Sequence, residues 1–248
     1  MRAFARTLRA EALKLKRTRA IWLAVGAPLA VLVLFLLLVA SGRVTAEEIT
    51  WSEQAQSMIG MWSMFMFPLY VALETAFINA IDHKAQAWKH LFALPPPRWS
   101  VHAAKLLMAF AMVALSSVLL GAGLLVTIVA FKTVGVGASG NPVPWSLVAR
   151  SSLYGYGGGL AMISIHHGLS LRLRGFEWPL GIGIVGMMFG TQVSLSSTYW
   201  PLLPWGYTTV ATVVSDPEHR FWAIMLSGIL ALLVGLVSGY DTARRDIL

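Results

Sequence analysis

The chain has 248 residues, of which 57% are hydrophobic and only 12% are charged. Soluble domains are about 45–50% apolar even with glycine counted, and about 25% charged, so this composition excludes an ordinary soluble domain, a disordered chain and a coiled coil. The net charge of +8 would suggest nucleic acid binding in a soluble protein, but in a membrane protein the position of each charge matters more. The chain has no cysteine, which excludes disulfides and thiolate metal sites.

Six apolar runs are long enough to cross a bilayer, since roughly 20 helical residues span about 30 Å of hydrocarbon. We therefore predict an all-α integral membrane protein with a single transmembrane domain over residues 1–248. An even number of spans puts both termini on the same side. The spans are predicted at about residues 20–40, 58–81, 103–131, 147–169, 178–195 and 221–239.

The basic residues assign the two sides of the membrane. With six spans, only four of the 19 Lys and Arg residues lie opposite the termini: Arg43, Lys132, Arg150 and Arg220. The other 15 lie on the side of the termini, in a set that includes Lys105 in the loop before span three. Loops that face the cytoplasm carry an excess of Lys and Arg, so we predict that both termini are cytoplasmic.

Residues 1–19 form a basic leader ahead of the first span. Its apolar and basic residues separate on a helical wheel, which predicts an amphipathic helix lying on the cytoplasmic leaflet. A simple topology signal is the alternative. The apolar side holds Phe4, Leu8, Ala12 and Leu15, and the basic side holds Arg2, Arg6, Arg9 and Arg17.

The segment after span two, at about residues 84–94, is the most informative stretch of the chain. Residues 95–97 are prolines and end any helix that precedes them. A tryptophan-anchored apolar face beside basic residues is typical of a protein-docking hot spot. Packing of this face on the protein's own helices or on lipid is the alternative. The predicted docking residues are Lys84, Trp88, Lys89, His90, Leu91 and Phe92.

Few polar side chains lie within the predicted spans. Glu74 is the only acidic residue well inside one, and a carboxylate in lipid is costly, so we predict that Glu74 and Asn79 are gating or other intramembrane polar residues. For Glu74, an inter-helix hydrogen bond with a purely structural role is the alternative. His166 and His167 point about 100° apart as helix neighbours, so they cannot easily share one metal ion. We predict no metal site and no catalytic residue.

Two further patterns concern helix packing. Small-residue pairs at Gly186 and Gly190 and at Gly235 and Gly239 allow helices to approach closely, within one subunit or between two. The segment 197–220 is rich in aromatic residues and proline, which favours an interfacial or partly re-entrant hairpin whose backbone is shielded by protein or faces a cavity.

The chain resembles the permeases of ABC-2 type transporters, and more narrowly the permease subunits of lantibiotic (bacteriocin) immunity and export transporters. The resemblance rests on the basic leader, the six-span layout, the apolar hairpin before span six, and the stretch from Glu74 through Lys84 and Trp88 to Lys105. It implies an ABC-2 (type V exporter-like) transmembrane domain. The segment 84–94 would then be a coupling helix seated in a groove of a separate ATPase.

The resemblance also implies a set of partners. Two ABC ATPase subunits would bind ATP and magnesium, and a second permease copy or a paralogue would complete the pathway in the bacterial cytoplasmic membrane. The chain itself has no G-x-x-x-x-G-K-[ST] motif, which agrees with this division of labour. Substrates in the family include peptides, antibiotics and lipids, so export of a peptide antibiotic for self-immunity or efflux is the implied function.

Two other classes of function stay open from the residues alone. A membrane-embedded enzyme would use Glu74, Asp82 and His83, or the pair His166 and His167, although these residues have no known triad or ligand spacing. A secondary transporter or channel would use Glu74 as a proton site, and it would be expected to show inverted repeats, which the sequence lacks.

Overall fold

The computed structural model describes residues 2–15, 18–41, 50–84, 97–135, 141–173 and 175–244. These parts of the chain are almost entirely helical and contain no β-strand. A π-helical turn, Trp62–Met66, joins α3 to α4 without a break, and two short 3₁₀ turns, Trp200–Leu202 and Pro204–Gly206, precede α8. In chain order the α-helices are α1 (Arg2–Leu15), α2 (Arg19–Ala40), α3 (Trp51–Met61), α4 (Phe67–Lys84), α5 (Arg98–Thr133), α6 (Trp145–Arg172), α7 (Glu177–Ser194), α8 (Tyr207–Thr212) and α9 (Pro217–Arg244).

A helix lies at the position of each predicted span. Four stretches of the described residues are long and apolar enough to cross a membrane: Arg19–Ala40, Trp51–Ala80, Arg98–Thr133 and Pro217–Arg244. Helices α6 and α7 lie at the positions of predicted spans four and five, but they are not among these four stretches.

The second span begins earlier than predicted because a capping box starts α3. The Thr50 side chain accepts a hydrogen bond from the Glu53 backbone N–H, and the Glu53 carboxylate accepts one from the Thr50 backbone N–H at 3.0 Å. These two bonds satisfy N–H groups that a helix start leaves without partners. The helix therefore begins at Trp51, in a more polar stretch that precedes the apolar run.

Side-chain contacts give the direction in which paired helices run. In α2 and α5, the Ser116 hydroxyl donates to the carbonyl oxygen of Ala24, and the rings of Phe35 and Phe131 lie 6.0 Å apart. Residue numbers rise together along this pair, so α2 and α5 are parallel. The α5–α6 pair is antiparallel, since Gly121 lies against Ser152 while the Tyr156 hydroxyl reaches back to the Phe110 carbonyl oxygen at 3.3 Å.

Helices α6 and α9 run parallel over most of their length. At one end the guanidinium carbon of Arg220 lies 5.3 Å from the centre of the Tyr154 ring, and at the other end Arg172 pairs with Asp241 at 3.1 Å. Between Arg220 and Asp241, a helix at 1.5 Å per residue extends about 30 Å, which is the thickness of the hydrocarbon core. Helix α6 therefore lies beside α9 over a membrane-spanning distance.

The predicted hairpin is folded into the bundle, and its α-helical part is buried. Every residue of α8 is buried. The Thr208 hydroxyl donates to the Ser63 carbonyl oxygen at 3.1 Å, and the Thr191 hydroxyl donates to that of Met64 at 3.3 Å. Both acceptors belong to the π-helical turn, where the widened ladder leaves carbonyl groups available. The backbone of α8 is thus shielded by protein, as a re-entrant segment requires.

The two small-residue pairs serve packing within the chain. A Cβ atom added at Gly190 would lie 2.9 Å from the backbone nitrogen of Gly206, and one added at Gly186 would lie 2.5 Å from the Trp205 ring. A Cβ atom at Gly239 would lie 3.2 Å from the His102 ring. Of the two alternatives left open by the sequence, these contacts favour close approach inside one subunit.

Candidate functional site

Polar side chains gather at the end of the bundle where α4 ends and α5 begins. They come from four helices and are buried. Burying such groups is costly unless they are paired with one another. We call this cluster the polar base; it consists of Glu11, Asn79, His102, Lys105, His167 and Ser170.

An ion pair in the polar base fastens α1 to α5. The Lys105 ammonium lies 2.9 Å from a Glu11 carboxylate oxygen, and Lys14 lies 2.6 Å from the other oxygen. Lys105 is fully buried and Glu11 is only 4% exposed. The placement of Lys105 in a cytoplasmic loop was therefore wrong: it lies in the second turn of α5, where the helix has already entered the bundle.

The leader is helical from Arg2 to Leu15, and its buried side differs from the predicted apolar side. Thr7, Glu11 and Leu15 are buried, one turn apart, while Phe4, Leu8 and Ala12 are only partly buried. The Phe4 ring stacks on Trp99 at 6.4 Å. Arg6 and Arg9 are exposed, as the basic side predicts, and Arg17 lies outside the described residues.

Asn79 connects α4 to α6. Its Nδ2 donates to the Ser170 hydroxyl at 2.6 Å and to the Thr75 carbonyl oxygen at 3.1 Å, and it lies 3.4 Å from Nδ1 of His167. The Ser170 hydroxyl in turn donates to the Thr75 carbonyl oxygen at 3.2 Å. Asn79 therefore makes a hydrogen bond between two helices.

His167 continues the cluster toward α5 and α9. Its ring lies 5.1 Å from the ring of His102 in an edge-to-face arrangement, and His102 Nε2 is 2.9 Å from the Ser238 hydroxyl. Together with Asn79, these contacts join α4, α5, α6 and α9 at one level. Relative movement of any of these four helices must break or rearrange a buried polar contact, which is costly.

His166 has a separate partner on the other side of α6. The Trp205 indole N–H donates to Nε2 of His166 at 3.0 Å, and the two rings meet edge to face at 5.8 Å. Because Nε2 accepts this bond, Nδ1 is assigned the proton of the neutral ring. His166 and His167 thus point to different neighbours, in agreement with their predicted divergence.

Glu74 is buried above the polar base without a hydrogen-bond partner. Its exposed fraction is 0%, and neither carboxylate oxygen has a partner among the described residues. Tyr70, one turn earlier, donates its hydroxyl to the Met112 carbonyl oxygen of α5 at 3.0 Å. The inter-helix hydrogen bond considered for Glu74 is therefore absent from the described part of the structure. Both carboxylate oxygens remain able to accept one.

The predicted docking residues begin at the end of α4 and continue along the chain toward α5. Lys84 is the last residue of α4, and Arg98 is the first of α5. Trp88, Lys89, His90, Leu91 and Phe92 lie outside the described residues, so their role stays a prediction. In the sequence, the segment that contains them connects α4 to α5, the helix to which α1 is fastened.

Sequence reasoning overlooked the Glu11–Lys105 pair. The helical wheel of the leader was divided into apolar and basic sides, and its single acidic residue was left out. The available signal was Lys105 near the start of an apolar run, together with Glu11 as the one acidic residue of the leader. A buried lysine needs an acidic partner of this kind.

A family model described as ABC-2 family transporter protein matches residues 7–190. The match covers well over half of the chain, including α2 to α6 and most of α1 and α7. The chain belongs to the ABC-2 transporter family. Members of this family are the membrane components of ABC transporters and normally work with ABC ATPase partners. With its several long apolar helices, the chain is therefore a multi-pass membrane protein of the transport class. No curated protein and no solved structure matches it.

Proposed function

We propose that the chain is the permease subunit of an ATP-driven exporter in the bacterial cytoplasmic membrane. Two ATPase subunits that bind ATP and magnesium, and a second permease copy or a paralogue, complete the transporter. The family match carries this proposal, because it places the chain among ABC-2 membrane components. The resemblance to lantibiotic immunity permeases supports a peptide antibiotic or another amphipathic molecule as the substrate, exported for self-immunity or efflux.

The proposal includes six membrane spans with both termini in the cytoplasm. Helices α2 and α5 are parallel, α6 and α9 are parallel, and α5 is antiparallel to α6, which is the set of directions that six alternating spans require. The contacts of α6 along α9 support a full crossing by α6 despite its less apolar composition. The basic residues supply the orientation.

We also propose that residues 84–94 form the coupling helix. Movement of the ATPases reaches the spans only if the ATPase binds the coupling helix with different energies in the two conformations of the permease. It also requires that the helices next to the coupling helix move together. The polar base supplies that connection, because its contacts join the end of α4 and the start of α5 to α1, α6 and α9. Helix α1, lying on the cytoplasmic leaflet, anchors this assembly at the interface.

Glu74 has a gating role in this proposal. A buried carboxyl group without a partner is unfavourable in lipid, so a second conformation that offers it a hydrogen bond is stabilised relative to this one. Since Tyr70 on the same helix contacts α5, a shift of α4 against α5 would change the surroundings of both side chains.

The coupling helix can be tested by co-purification. The permease is expressed with the ABC ATPase encoded in an adjacent reading frame, and Trp88→Ala and Phe92→Ala are compared with Trp178→Ala. Trp178 is 69% exposed at the start of α7 and lies outside the coupling segment, so it controls for loss of an exposed tryptophan. We expect both coupling variants to lose most of the bound ATPase, because aromatic hot spots dominate docking interfaces, while the control retains it.

Retention of the ATPase by both coupling variants would contradict the coupling role. Native mass spectrometry of the extracted wild-type complex then tests the composition independently. Two ATPases with two permease chains is the expected assembly, and a permease that never carries an ATPase would overturn the proposed function.

A further inference from the structure

A cleft of about 220 Å³ lies at the end of the bundle opposite the polar base. It is formed where α3, α6 and α9 begin and where α8 ends. Under the six-span topology this end faces the outside. We call it the arginine cleft, and its lining includes Gln56, Leu147, Arg150, Tyr154, Ala211 and Arg220.

Arg220 is held in place by its backbone neighbours. Its Nε donates to the Ala211 carbonyl oxygen and its Nη2 to the Val214 carbonyl oxygen, each at 3.2 Å. Its guanidinium carbon lies 5.3 Å from the centre of the Tyr154 ring. An arginine has five N–H donors, so these two bonds fix the group and leave further donors for a ligand.

Arg150 lies at the rim of the cleft and is exposed. Its Nε donates to the Ser146 carbonyl oxygen at 3.2 Å. The N–H groups of both terminal nitrogens therefore remain available to a ligand. Among the residues that the structure describes, neither Arg150 nor Arg220 has a carboxylate oxygen within 4.0 Å. Within the described part of the chain, the cleft therefore carries two positive charges that no carboxylate contacts.

Two acidic residues near these helix starts are engaged with other groups. Glu53 completes the capping box of α3 with Thr50, and Asp216 pairs with His219 at 2.8 Å and accepts the Glu218 backbone N–H at 2.9 Å. The two guanidinium groups thus favour an anion here.

We propose that the arginine cleft binds a phosphate group. The guanidinium fork matches the oxygens of phosphate and can donate two parallel hydrogen bonds, which a single ammonium cannot do. The cleft is not uniformly polar, since Leu147, Ala211 and the Tyr154 ring complete its lining. At a membrane interface this chemistry has two sources, the phosphate of a lipid headgroup and free phosphate in solution. The proposal does not depend on an ATPase partner or on a transport substrate.

The test measures ligand-dependent thermal stabilisation of the purified full-length chain in detergent. Three probes are titrated separately: short-chain phosphatidic acid, the diacylglycerol of the same chain length, and inorganic phosphate. Arg150→Gln removes the rim charge at an exposed position that the fold tolerates. Lys132→Gln is the matched control, because Lys132 lies at the same end of the bundle and outside the cleft, with its ammonium on the Asn141 carbonyl oxygen.

Phosphatidic acid is expected to stabilise the wild type and Lys132→Gln at the same concentrations. Arg150→Gln is expected to need a roughly tenfold higher concentration of phosphatidic acid for the same stabilisation, which is the loss typical of a charged hydrogen bond. Stabilisation by inorganic phosphate as well would assign a free-phosphate site, and stabilisation by the lipid alone would assign a headgroup site. Equal stabilisation by diacylglycerol, equal binding by Arg150→Gln and the control, or no stabilisation by either phosphate probe would overturn the proposal.

Discussion

Glu11 and Lys105 place opposite charges in a space from which solvent is excluded. Removing two charges from water costs hydration energy, which only their mutual attraction offsets. The intact pair therefore adds little to stability, while removal of one partner is strongly destabilising. Lys14 differs, because its side chain is 29% exposed and water can replace its contact with Glu11. The pair therefore makes the docking of α1 conditional on both charges.

Glu11→Ala is expected to destabilise the docked leader by about 3–5 kcal/mol, because it leaves the Lys105 ammonium buried without this carboxylate. The measurements are the melting temperature of the purified chain and the rate of trypsin cleavage in the leader, which rises when α1 undocks. Lys14→Ala serves as the control and should change stability by less than about 1 kcal/mol. The double variant Glu11→Leu with Lys105→Met should recover most of the loss, and a Glu11→Ala variant as resistant as wild type would contradict the argument.

Glu74 was predictable as a special position, since an acidic residue inside an apolar run stands out in the sequence. Its lack of a partner was not predictable, because hydrogen bonding depends on which atoms of other helices lie within 3.5 Å. Asn79 illustrates the same limit, since its bond to Ser170 joins residues far apart in the chain.

Glu74→Gln is expected to leave the melting temperature unchanged or to raise it, because a neutral amide is less costly to bury than a carboxylate. The same substitution should reduce transport-coupled ATPase activity of the assembled complex if Glu74 takes part in gating. Thr75→Val is a matched control, because among the described residues the Thr75 hydroxyl bonds only to carbonyl groups of its own helix, including that of Val71 at 2.8 Å. Normal activity of Glu74→Gln would assign Glu74 to packing alone.

At the scale of elements, the apolar runs and the pattern of the leader predicted where helices lie. Their ends were less predictable, since α3 begins at a capping box and α5 continues to Thr133, past the predicted end of its span. The π-helical turn has no signature in the local sequence. It is explained by the hydroxyl groups of α7 and α8 that bond to its carbonyl oxygens, and those helices are distant in the chain.

The close approach of α7 to the turn before α8 gives an element-scale prediction. Gly190→Ala should lower the melting temperature by an amount equivalent to about 1–3 kcal/mol, because its Cβ would lie 2.8 Å from the carbonyl carbon of Trp205, where backbone cannot move aside easily. Gly181→Ala on the same helix meets nothing within 4 Å and should be neutral or stabilising by up to about 1 kcal/mol. Equal effects of the two substitutions would show that this contact does not hold α7 in place.

The whole molecule has a polar base at one end, a cleft with two arginines at the other, and paired helices between them. The sequence indicated the membrane class and the family, because both follow from composition and from the order of apolar and basic segments. It could not indicate the buried base or the cleft, since these arise only when α1, α3, α6 and α9 are brought together.

The junction between α6 and α7 distinguishes six spans from four. If only the four most apolar helices cross, residue 176 lies outside the cell; if α6 and α7 also cross, it lies in the cytoplasm. The chain has no cysteine, so single cysteines can be introduced without removing any. We expect Phe176→Cys, at a side chain that is 46% exposed, to react with a membrane-impermeant maleimide only after the cells are permeabilised. Ser215→Cys should react in intact cells under either topology and Ala243→Cys should not, so labelling of Phe176→Cys in intact cells would rule out the six-span arrangement.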